Sequence, residues 1–190
     1  MRSSMRVLCT STMADNTSAA GTRLRTTKYD MPSIHWRSAA LAGIAAGVVA
    51  TLVQIALWWA ASEPLPAMLF RDARLAAAIV IGRQVLPPPA TFDWSIMLVA
   101  TLVHFSLSIA YGLTLSVFIS RLSTPLSLLA GAVFGLFLYA INMYGFTFAF
   151  PWFAAVRDWI TAVTHVVFGL VIVAIYKTWP TRTARSTRPG

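Results

Sequence analysis

The chain has 190 residues, 57% of them hydrophobic and only 11% charged, with a mean hydropathy of +0.69 and a net charge of +9. Soluble domains carry roughly a quarter charged residues, so this composition excludes a water-coated globule. Its one cysteine, Cys9, excludes an internal disulfide framework, a CxxC redox pair and a multi-thiolate metal site.

Residues 1–32 are polar, rich in Ser and Thr and without apolar periodicity, which predicts a disordered basic tail. Met5–Thr10 is too short for the apolar region of a signal peptide, and Met5, Met13 and Met31 are alternative starts. His35, beside Trp36 and Arg37, reads as an interface anchor. The first long uncharged apolar run is Ser38–Ser62. Three more follow: Ser95–Ser120, Leu126–Phe150 and Trp159–Tyr176. Each is near the roughly 20 residues that cross a bilayer. Backbone groups in hydrocarbon must be satisfied within their own segment, so all four are predicted to be helices. Thr124-Pro125 opens the third and Pro151 stops it, while Asp93 and Asp158 precede the second and fourth, where an anion suits a helix N-terminus. A basic tail, residues 179–190, closes the chain.

Between the first two spans, Leu69–Leu86 mixes Arg71, Asp72, Arg74 and Arg83 with an apolar core, Leu75–Ile81, that is too short to cross. An interfacial helix or a shallow re-entrant turn is expected there, followed by the stiff Pro87-Pro88-Pro89.

Charge sets the expected orientation. Eleven of the fifteen basic residues fall in the two tails and in the loop holding Arg121, against only Asp15 and Asp30. The opposite side balances Arg71, Arg74, Arg83 and Arg157 against Glu63, Asp72, Asp93 and Asp158. By the positive-inside rule both termini are cytoplasmic, in a bacterial inner membrane. The net charge is then a topology signal whose partner is anionic lipid, and no nucleic-acid partner is expected.

The chain also repeats itself. Leu41-Ala42-Gly43-x3-Gly47-x6-Gln54 in the first span recurs as Leu129-Ala130-Gly131-x3-Gly135-x6-Asn142 in the third. Asp93-Trp94 leads to Tyr111 at the spacing by which Asp158-Trp159 leads to Tyr176. Two tandem helical hairpins are expected, related by a pseudo-twofold axis along the membrane normal. Gly43/Gly47 and Gly131/Gly135 are small-xxx-small pairs that suit close helix packing, and Trp and Tyr mark the two interfaces.

Four strongly polar residues fall inside the apolar runs: Gln54, His104, Asn142 and His165. Counted inward from the outer boundaries at about 1.5 Å per residue, they lie roughly 10 to 16 Å deep, in one band. Polar side chains at such depth are functional hypotheses by default. Three readings follow. One is a structural hydrogen-bond layer. Another is a proton or substrate path graded through Asp158, Thr161 and His165, which calls for an oligomer or a membrane partner, since four helices make a slender wall. The third is a b-type haem held by His104 and His165. No zinc or copper site is expected, for want of a third ligand at this depth. No nucleophile motif, phosphate loop or carboxylate pair points to an enzyme.

The run Leu86-Pro87-Pro88-Pro89-Ala90-Thr91-Phe92-Asp93, with Val103-His104-Phe105, Tyr111-Gly112, Ala140-Ile141-Asn142-Met143-Tyr144-Gly145-Phe146-Thr147, Phe150-Pro151-Trp152-Phe153, His165 and Phe168-Gly169, resembles a set of small bacterial four-span membrane proteins without an established activity. These are sometimes labelled sodium:proline symporter-like, a label that implies a far longer transporter. The resemblance covers Ser38–Tyr176 and implies a four-helix bundle with little chemistry attached. A non-enzymatic, transport-related or accessory membrane protein is the expected function.

Overall fold

The computed structural model describes residues 35–178, so both predicted tails, with Cys9, lie outside the described residues. Five α-helices account for most of it: α1 (Trp36–Ala60), α2 (Ala67–Ile81), α3 (Trp94–Ile119), α4 (Thr124–Ala140) and α5 (Trp159–Thr178). No strand occurs among the described residues. α1, α3, α5 and the segment Thr124–Phe148 are long and apolar enough to cross a membrane, and the protein is a multi-pass membrane protein on that ground. Their bounds fall within about two residues of the runs read from sequence, except that α4 stops early. After Ala140 its backbone widens into a π-helical turn (Ile141–Gly145), then tightens into 3-10 turns, Phe146–Phe148 and Pro151–Val156.

The helix starts follow local chemistry. Asp93 Oδ1 accepts from the Ile96 amide at 3.0 Å, and Asp158 Oδ1 from the Thr161 amide at 2.7 Å, each satisfying a donor that helix geometry leaves orphaned. Pro125 sits in the first turn of α4, where its missing N–H removes nothing.

On α1 and α4 the packing face is made mostly of small residues, with Trp58 and Leu138 as the large exceptions. α1 buries Ala39, Ala42, Gly43, Ala46, Gly47 and Ala50 and exposes Leu41, Ile44, Val48 and Leu52. α4 buries Ser127, Gly131 and Gly135 and exposes Leu129, Val133, Leu136 and Phe137. Small residues inside let backbones approach, and large apolar residues outside suit acyl chains. α1 packs against both α3 and α5, and α4 packs on α5. The central core joins Ala42, Ala46 and Ala50 to Leu115, Ile119, Phe168, Ile172 and Val173.

Charged groups gather at the two ends. Arg37, Arg121 and Lys177 stand at one end, where Lys177 Nζ donates to the carbonyls of Ile119 (2.8 Å) and Leu122 (2.7 Å) and caps α3. At the other end, α2 and the short turns form a lid of mixed charge. Only Val80 of α2 is exposed, and its charged residues turn inward. Arg74, 9% exposed, donates to the carbonyls of Thr91 and Val85, and the Trp152 indole N–H donates to the Leu75 carbonyl at 3.0 Å. Arg157 Nε donates to the Met143 carbonyl at 2.6 Å, a group displaced from the regular α ladder by the π turn.

Candidate functional site

The glycines set the geometry of the polar layer. Gly43 and Gly47 of α1 lie against Ser108 and His104 of α3, so close that a Cβ at Gly47 would sit 3.0 Å from His104 Nε2. Gly131 and Gly135 of α4 lie against Gly169 and His165 of α5, where an added Cβ would overlap backbone. Each histidine thus stands opposite the second glycine of a pair. The sequence repeat does not align the two histidines, because His104 matches Gly169 and His165 matches Ala100. In space, the α4–α5 contact is slid by four residues, about one helical turn, relative to the α1–α3 contact. That slide brings both histidines to the corresponding place.

Around His165 the hydrogen bonds close on themselves. Tyr111 O–H donates to Asn142 Oδ1 at 2.9 Å, Asn142 Nδ2 lies 3.2 Å from His165 Nε2, and His165 Nδ1 lies 2.7 Å from the Thr161 carbonyl. A carbonyl only accepts, so Nδ1 carries the proton and Nε2 receives from the Asn142 amide. Every group is neutral and paired. The network ties α3, the π turn and α5 together. Tyr111, read from sequence as an interface marker, belongs to it; seven residues beyond His104, it lies on the same face of α3.

Around His104 the arrangement is looser. Its Nε2 lies 3.3 Å from the Gly47 carbonyl and 3.5 Å from Thr51 Oγ1, while Thr51 itself donates to Gly47 O at 3.0 Å. Gln54 does not join either histidine. Its Nε2 donates outward to Asp72 Oδ2 at 3.2 Å, and Asp72 pairs with Arg71 at 2.8 Å. Burial pushes the Asp72 carboxyl above its ordinary 3.8, with Arg71 pulling the other way.

The four polar residues nonetheless face one space. Gln54, His104, Asn142 and His165, one from each span, line a cavity of about 170 Å³ together with Thr51 and Tyr111. Thr51, Gln54 and His104 also line a second cavity of about 400 Å³ between α1, α2 and α3. Thr161 is buried and meets His165 only through its carbonyl, and Asp158 is the α5 cap. Neither lines the smaller cavity, so the graded path through them is not assembled here. Among the described residues, no group of three or more His, Cys, Asp or Glu side chains could hold a metal ion. As haem ligands, His104 and His165 fit poorly. His165 has both ring nitrogens engaged, and the space between them is smaller than the roughly 300 Å³ at which ligand pockets begin.

No protein-family model, curated protein or solved structure matches the chain.

Proposed function

We propose that this chain is a non-enzymatic, transport-related protein of the bacterial inner membrane, of the small four-span kind it resembles, in which the shared polar cavity handles protons or a small polar solute. One observation carries the reading: each of the four spans contributes at least one polar side chain to the same internal space. Apolar packing alone gives no reason for that convergence, since each such side chain in hydrocarbon is costly. About 170 Å³ gives room for about five waters at roughly 30 Å³ each. Asp72, Gln54 and His104 mark the way in from the mixed-charge end. Toward the basic end Ala42, Ala46, Leu115, Ile119 and Ile172 close the bundle, so passage requires a second arrangement of α1 against α5.

The orientation belongs to the same proposal. The cationic end, with both tails, faces the cytoplasm and anionic headgroups, and α2 closes the outer end as an interfacial or re-entrant helix. The bundle derives from a duplicated hairpin, a reading that rests on the two glycine motifs in register with Gln54 and Asn142. A second copy, or a partner membrane protein, covers the apolar outer face of α4.

The test is proton flux into liposomes holding the full chain and a pH-sensitive dye, driven by a potassium diffusion potential. A flux lost in Asn142→Leu and His165→Gln supports the reading. A flux indifferent to both removes the cavity from the path. A haem reading predicts instead a Soret band in the purified protein that vanishes in His104→Ala, and no observation here favours it.

A further inference from the structure

The larger cavity, about 400 Å³ between α1, α2 and α3, lies within the size range of small-molecule sites. Its walls are largely apolar, with Ile55, Trp58, Leu69 and Phe105 among them, and Trp58 is 2% exposed. Its rim reaches the outside of the bundle through Val48, Leu52 and Thr101, all exposed on helices that cross the membrane. On that side the cleft opens to the acyl phase.

The polar groups on its wall share one property. Thr51 O–H donates to the Gly47 carbonyl. His104 Nε2 faces that same carbonyl, so Nε2 carries the proton and Nδ1 keeps a bare lone pair. Gln54 Nε2 donates to Asp72, which leaves Oε1 as an acceptor. Asp72 is charge-balanced by Arg71. Beside these committed donors the lining residues keep two uncharged acceptors, His104 Nδ1 and Gln54 Oε1, and one free donor, the second N–H of the Gln54 amide.

We propose that this cleft binds a membrane amphiphile, an apolar chain ending in a neutral hydroxyl, with the hydroxyl donating to His104 Nδ1 or Gln54 Oε1. A ligand whose head only accepts, such as a ketone, ester or ether, meets only the single free Gln54 N–H and leaves the acceptors unused, one hydrogen bond fewer than a hydroxyl makes. The cleft shares Thr51, Gln54 and His104 with the polar cavity, and the two readings are tested apart, this one by adduct formation and the other by proton flux.

The experiment uses the full chain in nanodiscs, with a long-chain alcohol bearing a photoreactive diazirine. Adducts are expected on peptides holding Leu52–Trp58 or Met97–Phe105. 1-Hexadecanol should compete about two- to tenfold better than its methyl ether, the ratio one neutral hydrogen bond supplies. Two sources of hydroxyl are separated by the competitor: a quinol that displaces the probe while its quinone does not points to a redox lipid, and diacylglycerol displacing it points to a glycerolipid. Ala76→Phe, which fills the cleft, should abolish the adduct, and His104→Leu combined with Gln54→Leu should erase the preference for alcohol over ether. Equal competition by alcohol and ether, or adducts spread over the α4 face at Leu129 and Phe137, overturns the proposal. So does labelling undiminished in Ala76→Phe.

Discussion

The α1–α3 contact and the α4–α5 contact use one device, a glycine pair with a histidine opposite the second glycine, and finish it differently. In α4–α5 the amide seven residues beyond that glycine, Asn142, turns to its histidine, and Tyr111 completes a closed set. In α1–α3 the corresponding amide, Gln54, turns away to Asp72 on α2 and leaves His104 half-served. The difference is α2. A helix with inward-facing charges is wedged beside one contact only, and a buried carboxylate is a stronger partner for an amide than a neutral imidazole. One contact is consequently closed on itself and borders the smaller cavity alone. The other is open and borders both cavities.

The sharpest way to break the comparison is at the glycines. Gly169→Ala places a Cβ against the Gly131 carbonyl and Gly43→Ala places one against the Ser108 carbonyl, backbone that cannot move aside. Each should destabilise the detergent-solubilised protein by about 1–3 kcal/mol, as overpacking does. Gly145→Ala, whose Cβ meets only Ile141 Cγ2 at 3.9 Å, should be near neutral in the same thermal unfolding assay. If all three behave alike, close approach is not what the glycines provide.

The closed and open networks should differ next. Asn142→Leu strands His165 Nε2 and the Tyr111 hydroxyl and should cost about 1–3 kcal/mol. Gln54→Leu leaves Asp72 still paired with Arg71 and should cost about 1 kcal/mol or less. Equal losses would mean that the two halves are equally closed. At the basic end, Lys177→Met frees the Ile119 and Leu122 carbonyls, and a loss of about 1 kcal/mol is expected in the same assay.

The smallest effect is on pH. An acid held above its unfolded value favours folding while protonated. The Asp72 contribution is therefore complete below its ordinary 3.8 and is lost as pH rises through the raised value. Thermal unfolding followed upward from pH 4 should show this decline in the wild type and lack it in Asp72→Asn.

Much of this architecture was legible in the sequence because hydrocarbon enforces simple rules. The spans, the capping aspartates and the packing faces of the glycines follow from run length and 3.6-residue periodicity. Rise per residue alone puts Gln54, His104, Asn142 and His165 in one band, and all four line one cavity. Three features were not legible. Arg74 reads only as one of the charges of the Leu69–Leu86 segment, because its partners are the Thr91 and Val85 carbonyls, and backbone acceptors leave no mark in sequence. The π turn at Ile141–Gly145 follows from how the chain leaves the bundle and from Arg157 holding the Met143 carbonyl. The one-turn slide between the two glycine contacts depends on which side chains meet across the helices, and no single helix carries that information.

Cysteine accessibility in intact bacteria tests most directly that the chain crosses the membrane four times with its charges sorted by side. In a Cys9→Ser background, Gln84→Cys in the mixed-charge lid and Ser123→Cys between α3 and α4 both sit at exposed positions. Gln84→Cys should react with an impermeant maleimide in whole cells opened only at the outer membrane, and Ser123→Cys only after the inner membrane is permeabilised. Reaction of both from the same side, or of Ser123→Cys alone in unbroken cells, would contradict the account.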